Sequence, residues 1–221
     1  MSERTHKPSW KLMLALVVFA VIVACCAAMI VKTNAEAPAQ HSVKYGVNEP
    51  MPFYAEGQSK GIEITSHGAF LLTWETLGEY DIPEDQGSLK QMLVDGDALA
   101  VVVVADMTNQ GTEDLRASPT YLTLQTGSWA NGVSTTLFRS LNGGHDPALT
   151  LSPGESVTVL IPFEIWRSSF GYNGYWDTLA HRDYQLITAI FPDKVYCDLG
   201  TPRLESEFSQ MVDVVGEEVS Q

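Results

Sequence analysis

Ala98-Leu99-Ala100-Val101-Val102-Val103-Val104-Ala105 is an unbroken apolar run of eight residues with four consecutive valines. It is too short to cross a bilayer, which takes about twenty residues in a helix. β-Branched side chains are restricted at χ1 and suit a pleated strand. A strand that alternates apolar and polar residues buries one face, whereas a continuous apolar strand is expected to be buried on both.

The same β signature recurs on either side of this run. Gly61-Ile62-Glu63-Ile64-Thr65 alternates, and Ala69 to Thr73 continues in β-rich composition. Downstream, Asn109-Gln110-Gly111 marks a turn, Tyr121 to Gln125 alternates again, and Gly127 ends that segment. Val133 to Phe138 reads as a further strand before the loop Asn142 to Pro147. Pro153-Gly154, between Leu149-Thr150-Leu151 and Ser156, suits a type II turn with Gly at positive φ. Ser156 to Ile165 is a long strand in which Pro162 is expected at a bulge or unpaired position. Tyr184 to Phe191 is another strand, and only Trp176 to Arg182 looks helical. Seven or more strands with scarcely any helix predict an all-β fold, an antiparallel β-sandwich, with a closed barrel as the alternative.

The N-terminus differs in kind. Leu12 to Val31 is twenty residues without formal charge, bracketed by Lys11 and Lys32, with Trp10 at the position of an interfacial aromatic. At 1.5 Å per residue such a helix spans about 30 Å, the thickness of a bilayer core. Positive charge is denser before the run, so residues 1–11 are expected in the cytoplasm and the bulk of the chain outside it. Three fates are open. An uncleaved single-pass anchor accounts for the whole run. Lipidation at Cys25 would follow from Ile22-Val23-Ala24-Cys25, although Cys26 to Val31 stay apolar where a polar tether is expected. A cleaved signal would use Ala37-Pro38-Ala39, although its apolar core would be shorter. The predicted organisation is thus a membrane anchor or signal over 12–31, a linker over 32–42, a sandwich over 43–208 and an acidic tail over 209–221.

Charge narrows the partners. Of 13 Lys and Arg, four (Arg4, Lys7, Lys11, Lys32) precede residue 33, where Glu3 is the one acid. The remainder carries nine basic and 26 acidic residues, a net of −17. Such a surface repels phosphate backbones, which argues against nucleic acid as a partner. Cys197 is the one cysteine beyond the apolar run, so the outer domain has no internal disulfide. Its expected role is that of a small buried hydrophobe, with a bridge between chains as the alternative.

One ordered set of residues resembles a known family. It comprises Ala100 to Asp114 (AVVVVADMTNQGTED), then Tyr121-Leu122-Thr123-Leu124, then Leu151-Ser152-Pro153-Gly154-Glu155-Ser156 leading into Val159 to Ile165. The set is similar to the exported immunoglobulin-like domains of unknown function common in Gram-positive bacteria. Their pattern is a strand ending in N-x-G-x-x-x-L, then a strand, then L-x-P-G-E before F-x-I/V. Asn109, Gly111 and Leu115 match the first part, and Leu151 to Glu155 the second. The resemblance covers residues 43–200 and extends to the N-terminal membrane segment that such proteins carry. It implies a fold and a location, not a chemistry. The stretches Trp74 to Asp97 and Trp166 to Trp176 are longer than the pattern needs.

Candidate chemistry is sparse. Asp81, Glu84, Asp85, Asp95 and Asp97 form an acid-rich stretch of the kind that binds Ca²⁺, but the alternating ligands of a calcium loop are missing, and a solvated face is the expected reading. The five histidines are scattered and read as isolated surface residues, and no H-E-x-x-H, C-x-x-C, G-x-S-x-G or phosphate-cradling glycine loop occurs. No cofactor and no enzymatic activity are expected. Trp166, Phe170, Tyr172, Tyr175 and Trp176 form the densest aromatic cluster. Exposed, they would offer a platform to a sugar or protein; buried or mixed, the expected state, they would cap one end of the sandwich. Two functions follow: a surface module binding a protein or glycan, or an accessory subunit of an envelope complex. The latter would dock through a sheet edge or through the small residues Ala24, Cys25, Ala27 and Ala28 of the membrane helix. A hydrolase assembled from scattered acids is a third and weaker reading.

Overall fold

The structure is a computed structural model that describes residues 10–36, 41–53, 61–80, 82, 87–171, 173–190, 193–209 and 211. It divides into two units, Met1–Gln40 and His41–Gln221.

The first unit contains one helix, α1 (Trp10–Glu36). Its Met13–Lys32 stretch is 20 residues with a mean hydropathy of 3.1, long and apolar enough to cross a membrane. The helix runs past Val31 into the segment read as linker. Thr33-Asn34-Ala35-Glu36 contains no helix breaker, and the first one in the sequence is Pro38.

The second unit follows the order β1 (Ser42–Tyr45), β2 (Pro50–Pro52), β3 (Ile62–Leu72), α2 (Trp74–Leu77), α3 (Gly87–Val94), β4 (Ala98–Asn109), β5 (Leu115–Ala117), β6 (Thr123–Thr126), β7 (Trp129–Gly132), α4 (Thr135–Leu141), β8 (Leu149–Leu151), β9 (Ser156–Trp166), α5 (Asn173–Trp176), β10 (Tyr184–Ala189) and β11 (Lys194–Gly200). One sheet has the order β1-β11-β10-β6-β7 and the other β2-β3-β4-β9, while β5 and β8 form a separate ribbon. The sheets face each other across one core, to which Val101, Val103, Ile161 and Phe163 contribute from one side and Leu124, Tyr184, Leu186 and Cys197 from the other. The fold is a mostly-β sandwich. It is not wholly antiparallel: β1 pairs parallel to β11, from Ser42↔Lys194 to Tyr45↔Cys197.

The two sheets differ on their outer faces, and the sequence pattern says why. β11 alternates buried and half-buried residues, so only one of its faces is dry. On its other face Lys194 Nζ donates to Gln125 Oε1 at 2.9 Å and to Gln185 Oε1 at 2.7 Å, a polar surface suited to water. β4 lies between β3 and β9 and is dry on both faces, as its unbroken apolar run predicts. Val101, Val103 and Ala105 point between the sheets. Ala98, Ala100, Val102 and Val104 point into a second core on the far side. That second core is covered by Leu77 of α2, Leu89 and Leu93 of α3, Leu137 and Leu141 of α4, and Phe208 from a helical turn over 205–209. A helical layer therefore lies outside one sheet, where the composition predicted almost no helix.

Two local expectations are corrected. Val133 to Phe138 is not a strand: Ser134 caps α4, its Oγ accepting from Leu137 N–H at 3.2 Å, and the helix turns Leu137 and Leu141 onto one face. Trp176 to Arg182 is not one helix; α5 ends at Trp176 and a 3₁₀ turn spans Leu179–His181. Of the two placements expected for Pro162, a bulge or an unpaired position, it takes the second, standing opposite Val102 in a regular register. It is tolerated because β9 is the edge strand, where the missing N–H breaks no ladder. That edge is closed by other means: Ser134 N–H donates to Pro162 O at 2.9 Å, and Asn142 pairs with Leu160 through both backbone groups, at 2.8 and 2.9 Å. The bulge lies instead in β3, between Ser66 and Gly68.

The two-sided burial of β4 has a direct test. Val102→Thr puts a hydroxyl under the helical layer and Val103→Thr puts one between the sheets. Each should cost about 1–3 kcal/mol, because an unpaired buried hydroxyl loses its hydration. Urea unfolding of both variants measures this; a sandwich with a wet outer face would tolerate the first.

Candidate functional site

The structure divides the aromatic segment between the two cores. Trp166, at the end of β9, packs against the helix-covered core and donates from Nε1 to Glu164 Oε2 at 3.0 Å. Phe170 and Trp176 pack against the core between the sheets. Phe170 is the hub of that group. Its ring centroid lies 6.1 Å from Trp129, 6.3 Å from Tyr175 and 6.3 Å from Trp176. Trp129 comes from β7 and carried no local sequence signal, because it joins the group only through the fold. Tyr175 is the exposed member, with the Arg182 guanidinium 4.0 Å from its ring centroid. Arg182 also donates from Nε to Thr178 Oγ1 at 2.9 Å. Tyr172 lies outside the described residues. The described rings other than Trp166 thus close one end of the inter-sheet core, leaving Tyr175 as the ring available to solvent.

Of the acid-rich stretch, Asp81, Glu84 and Asp85 lie outside the described residues. Asp95 and Asp97 follow α3 in an exposed turn. Asp95 Oδ1 accepts from Gln91 Nε2 at 2.8 Å, and Asp97 Oδ1 is 3.5 Å from Arg167 Nη1. Among the described residues, no group of three or more His, Cys, Asp and Glu is placed to hold a metal ion. Cys25 is an exposed residue within α1.

His67 is not an isolated surface residue. It sits at the β3 bulge, with Nδ1 2.8 Å from Asn48 Oδ1 and Nε2 2.9 Å from Asp106 Oδ2. Asp106 Oδ1 in turn accepts from Thr158 Oγ1 at 2.6 Å. The chain Asn48, His67, Asp106, Thr158 ties three strands and their approach loop together. Both ring nitrogens are engaged within the fold, so this histidine and carboxylate work as a structural strut.

The N-x-G and P-G-E motifs are also structural. Asn109 is fully buried, and its Nδ2 donates to Glu113 O and Leu151 O, each at 2.8 Å. Its Oδ1 accepts from Gly111 N–H at 2.7 Å. Its backbone meets the second motif, donating to Glu155 O and accepting from Gly154 N–H, each at 2.9 Å. Gly111 is closely approached: a Cβ there would lie 3.0 Å from Asn109 Oδ1 and 3.1 Å from Leu115 Cδ1, so one of these side chains would have to give way. Glu155 closes its own turn, accepting from Ser152 N–H at 2.6 Å. Asparagine, glycine and leucine at this spacing therefore make one knot between β4 and the β8–β9 turn.

Cys197 is buried on β11 and donates from Sγ to Gly46 O at 3.4 Å. Burial, with the carboxylates of Asp198 and Glu49, pushes its thiol up from 9.0 to about 11. Next to it, Lys44 Nζ reaches Asp198 Oδ2 at 2.5 Å and clamps β1 to β11. The hydrogen bond from Lys44 holds the Asp198 carboxyl below its usual range.

The described surface also holds a polar groove that the sequence reading did not single out. Arg116 of β5 and Ser118, Thr120 and Tyr121 of the turn after it line a recess of about 420 Å³ together with Thr135 and Arg139 of α4 and the 146–148 loop. Its size falls within the range of ligand pockets, about 300–1,000 Å³. Its residues come from three short segments between Arg116 and Ala148, with no periodic or motif signal to join them.

Residues 45–195 match a family described as a domain of unknown function (DUF5028). No curated protein matches the chain. Solved structures to which the chain is similar include three proteins of unknown function. An uncharacterised β-sandwich protein from Clostridium difficile 630 is 10% identical, covers 73% of this chain and 97% of its own, and superposes with a TM-score of 0.40. A functionally unknown protein from Listeria monocytogenes EGD-e is 12% identical over 70% and 88%, with a TM-score of 0.43. A conserved hypothetical protein from Bacillus anthracis is 16% identical over 64% and 87%, with a TM-score of 0.35.

Two measurements test this account. Asn109→Ala leaves two carbonyls and one amide without their partner and should cost about 3 kcal/mol or more of unfolding free energy in a urea titration. In a variant with Cys25 and Cys26 changed to Ala, Cys197 should resist a thiol reagent at pH 8 until the protein is unfolded. Its folded value lies above the unfolded one, so its contribution to stability is complete below pH 9 and is lost between pH 9 and about 11.

Proposed function

We propose, from the premise that the chain belongs to the DUF5028 family of domains of unknown function, that it is a membrane-anchored, extracytoplasmic, non-catalytic binding module for a surface protein or glycan. In this reading the sandwich is immunoglobulin-like, two sheets packed over a shared core with short turns at the ends. The observation that carries the binding role is the groove between β5 and α4, which joins two arginines and four hydroxyl-bearing side chains with the one acid Asp146, in a chain of net charge −14. The anchor is supported by α1, whose 20-residue stretch Met13–Lys32 is long and apolar enough to cross a bilayer. An intact anchor accounts for the whole apolar run, whereas lipidation at Cys25 would leave Cys26 to Val31 apolar where a polar tether is expected. The polar side chains of the sequence motifs are spent on turns and strand ties, which supports a non-catalytic role.

A second reading has its own support. Ala24, Cys25, Ala27 and Ala28 are small residues on an exposed apolar helix, the kind of surface on which another membrane helix can pack closely. In that reading the protein is an accessory subunit of an envelope complex.

One experiment separates the two. Full-length protein, tagged at its C-terminus and purified in mild detergent, is incubated with solubilised envelope and wall polysaccharide from its host. As a binding module it should retain a protein or glycan even when residues 12–32 are exchanged for an unrelated apolar helix of equal length. Loss of the partner on that exchange would establish the accessory-subunit reading instead. Protease added to intact cells should remove the second unit and spare the N-terminus.

A further inference from the structure

We infer that the groove between β5 and α4 is a binding site for an anionic saccharide, a sugar chain bearing phosphate or carboxylate groups. The inference rests on the binding-module reading and names the ligand class for it.

Most described cations of the second unit are engaged by a partner. Lys44 is paired with Asp198, Lys194 with two glutamine carbonyls, and Arg167 lies near Asp97. Arg182, Arg203 and Lys90 lie over the rings of Tyr175, Phe70 and Trp74. Arg116 differs: its backbone pairs with Thr150 in the β5–β8 ribbon, but among the described residues its side chain makes no ion pair, hydrogen bond or ring contact, although acids outnumber bases about two to one in the chain. It stands in the groove wall with Arg139, whose Nη2 is 3.7 Å from Asp146 Oδ2. Both members of that pair are more than half exposed, at 53% and 67%. A loose surface pair of this kind contributes little and yields readily to a better acceptor. Two guanidiniums thus converge on one recess with their donors largely free, an arrangement suited to the oxygens of phosphate or carboxylate.

The rest of the lining selects the carrier. Ser118, Thr120 and Thr135 supply hydroxyls, each able to donate and accept, which match the hydroxyls of a sugar. Ser118 and Thr120 already bond each other at 2.8 Å, which fixes their orientation. Tyr121 is 54% exposed and offers a flat ring face to the C–H face of a pyranose. An acidic peptide would answer the two arginines with its carboxylates but has no ring hydroxyls to match Ser118, Thr120 and Thr135. The net negative charge of the chain does not forbid the site, because the Debye length at physiological salt is about 8 Å and contacts at the guanidiniums are shorter.

The test uses full-length protein in detergent micelles and titration calorimetry with four probes: phosphorylated dextran, oligogalacturonate, neutral dextran and poly-glutamate. Binding of phosphorylated dextran or oligogalacturonate, and not of neutral dextran, is expected, and the better of the two identifies the anionic group. Arg116→Gln and Arg139→Gln should each weaken that binding about tenfold or more, and Tyr121→Ala several-fold. Arg182→Gln, at the aromatic end, should leave it unchanged. All four side chains are at the surface, and an unchanged thermal midpoint verifies folding. Equal binding of neutral dextran, tighter binding of poly-glutamate, indifference to both arginine variants or no binding of either anionic glycan would each overturn the inference. The broader binding-module reading falls only if host envelope material is also not retained.

Discussion

Every layer of the second unit is arranged by the need to keep both faces of β4 dry. A central strand with valine at four consecutive positions sends alternate side chains to opposite sides. Each fully buried valine contributes about 1.5–3 kcal/mol relative to leaving it in water. One face is satisfied by the facing sheet. The other requires a cover, and α2, α3, α4 and the turn around Phe208 are recruited to it from four separate places in the chain. The helices are short, and what holds them is the apolar surface they shield. The same constraint places the edge strand β9 beside α4, where Ser134 and Asn142 satisfy its outward backbone groups and close an edge otherwise open to pairing.

Polar residues inside this frame are used as ties. Asn109 is the densest case, since a single buried amide side chain joins the end of β4, the following turn and the start of the β8–β9 connection. The His67, Asp106 and Thr158 chain does the same across the β3 bulge. Groups committed in this way are poor candidates for chemistry on a substrate. Among the described residues, Arg116 and Arg139 at the groove between β5 and α4 keep donors to spare.

The fold was legible where side-chain periodicity spoke directly. The eight apolar residues from Ala98 announced a two-sided strand, and the alternation at Ile62, Ile64, Leu122 and Leu124 placed inward faces correctly. The helical layer was not legible. α2 and α4 are four and seven residues long, too short for a 3.6-residue period to emerge, and the threonines before Leu137 resemble a strand in composition. The parallel β1–β11 pair joins residues far apart, which no local pattern reports. The candidate surfaces divide in the same way. Phe170, Tyr175 and Trp176 share a cluster because they are near neighbours in sequence, whereas Trp166 follows strand alternation into the other core. Trp129 and the groove arginines are brought in by tertiary packing alone.

The parallel pair also bears on the order of events in folding. β1 is the first strand of the unit to leave the ribosome and its partner β11 is the last, about 150 residues later. At synthesis rates of about 5–20 residues per second, β1 waits on the order of ten seconds for its ladder. A pairing of such high contact order forms late and cannot nucleate the sandwich. The composition of β1 suits that wait. Ser42-Val43-Lys44-Tyr45 is four residues long, mostly exposed and carries a lysine, a poor template for another unpaired strand. The strand nearest α1 is thus the latch of the domain, closed only when the rest of the chain has arrived.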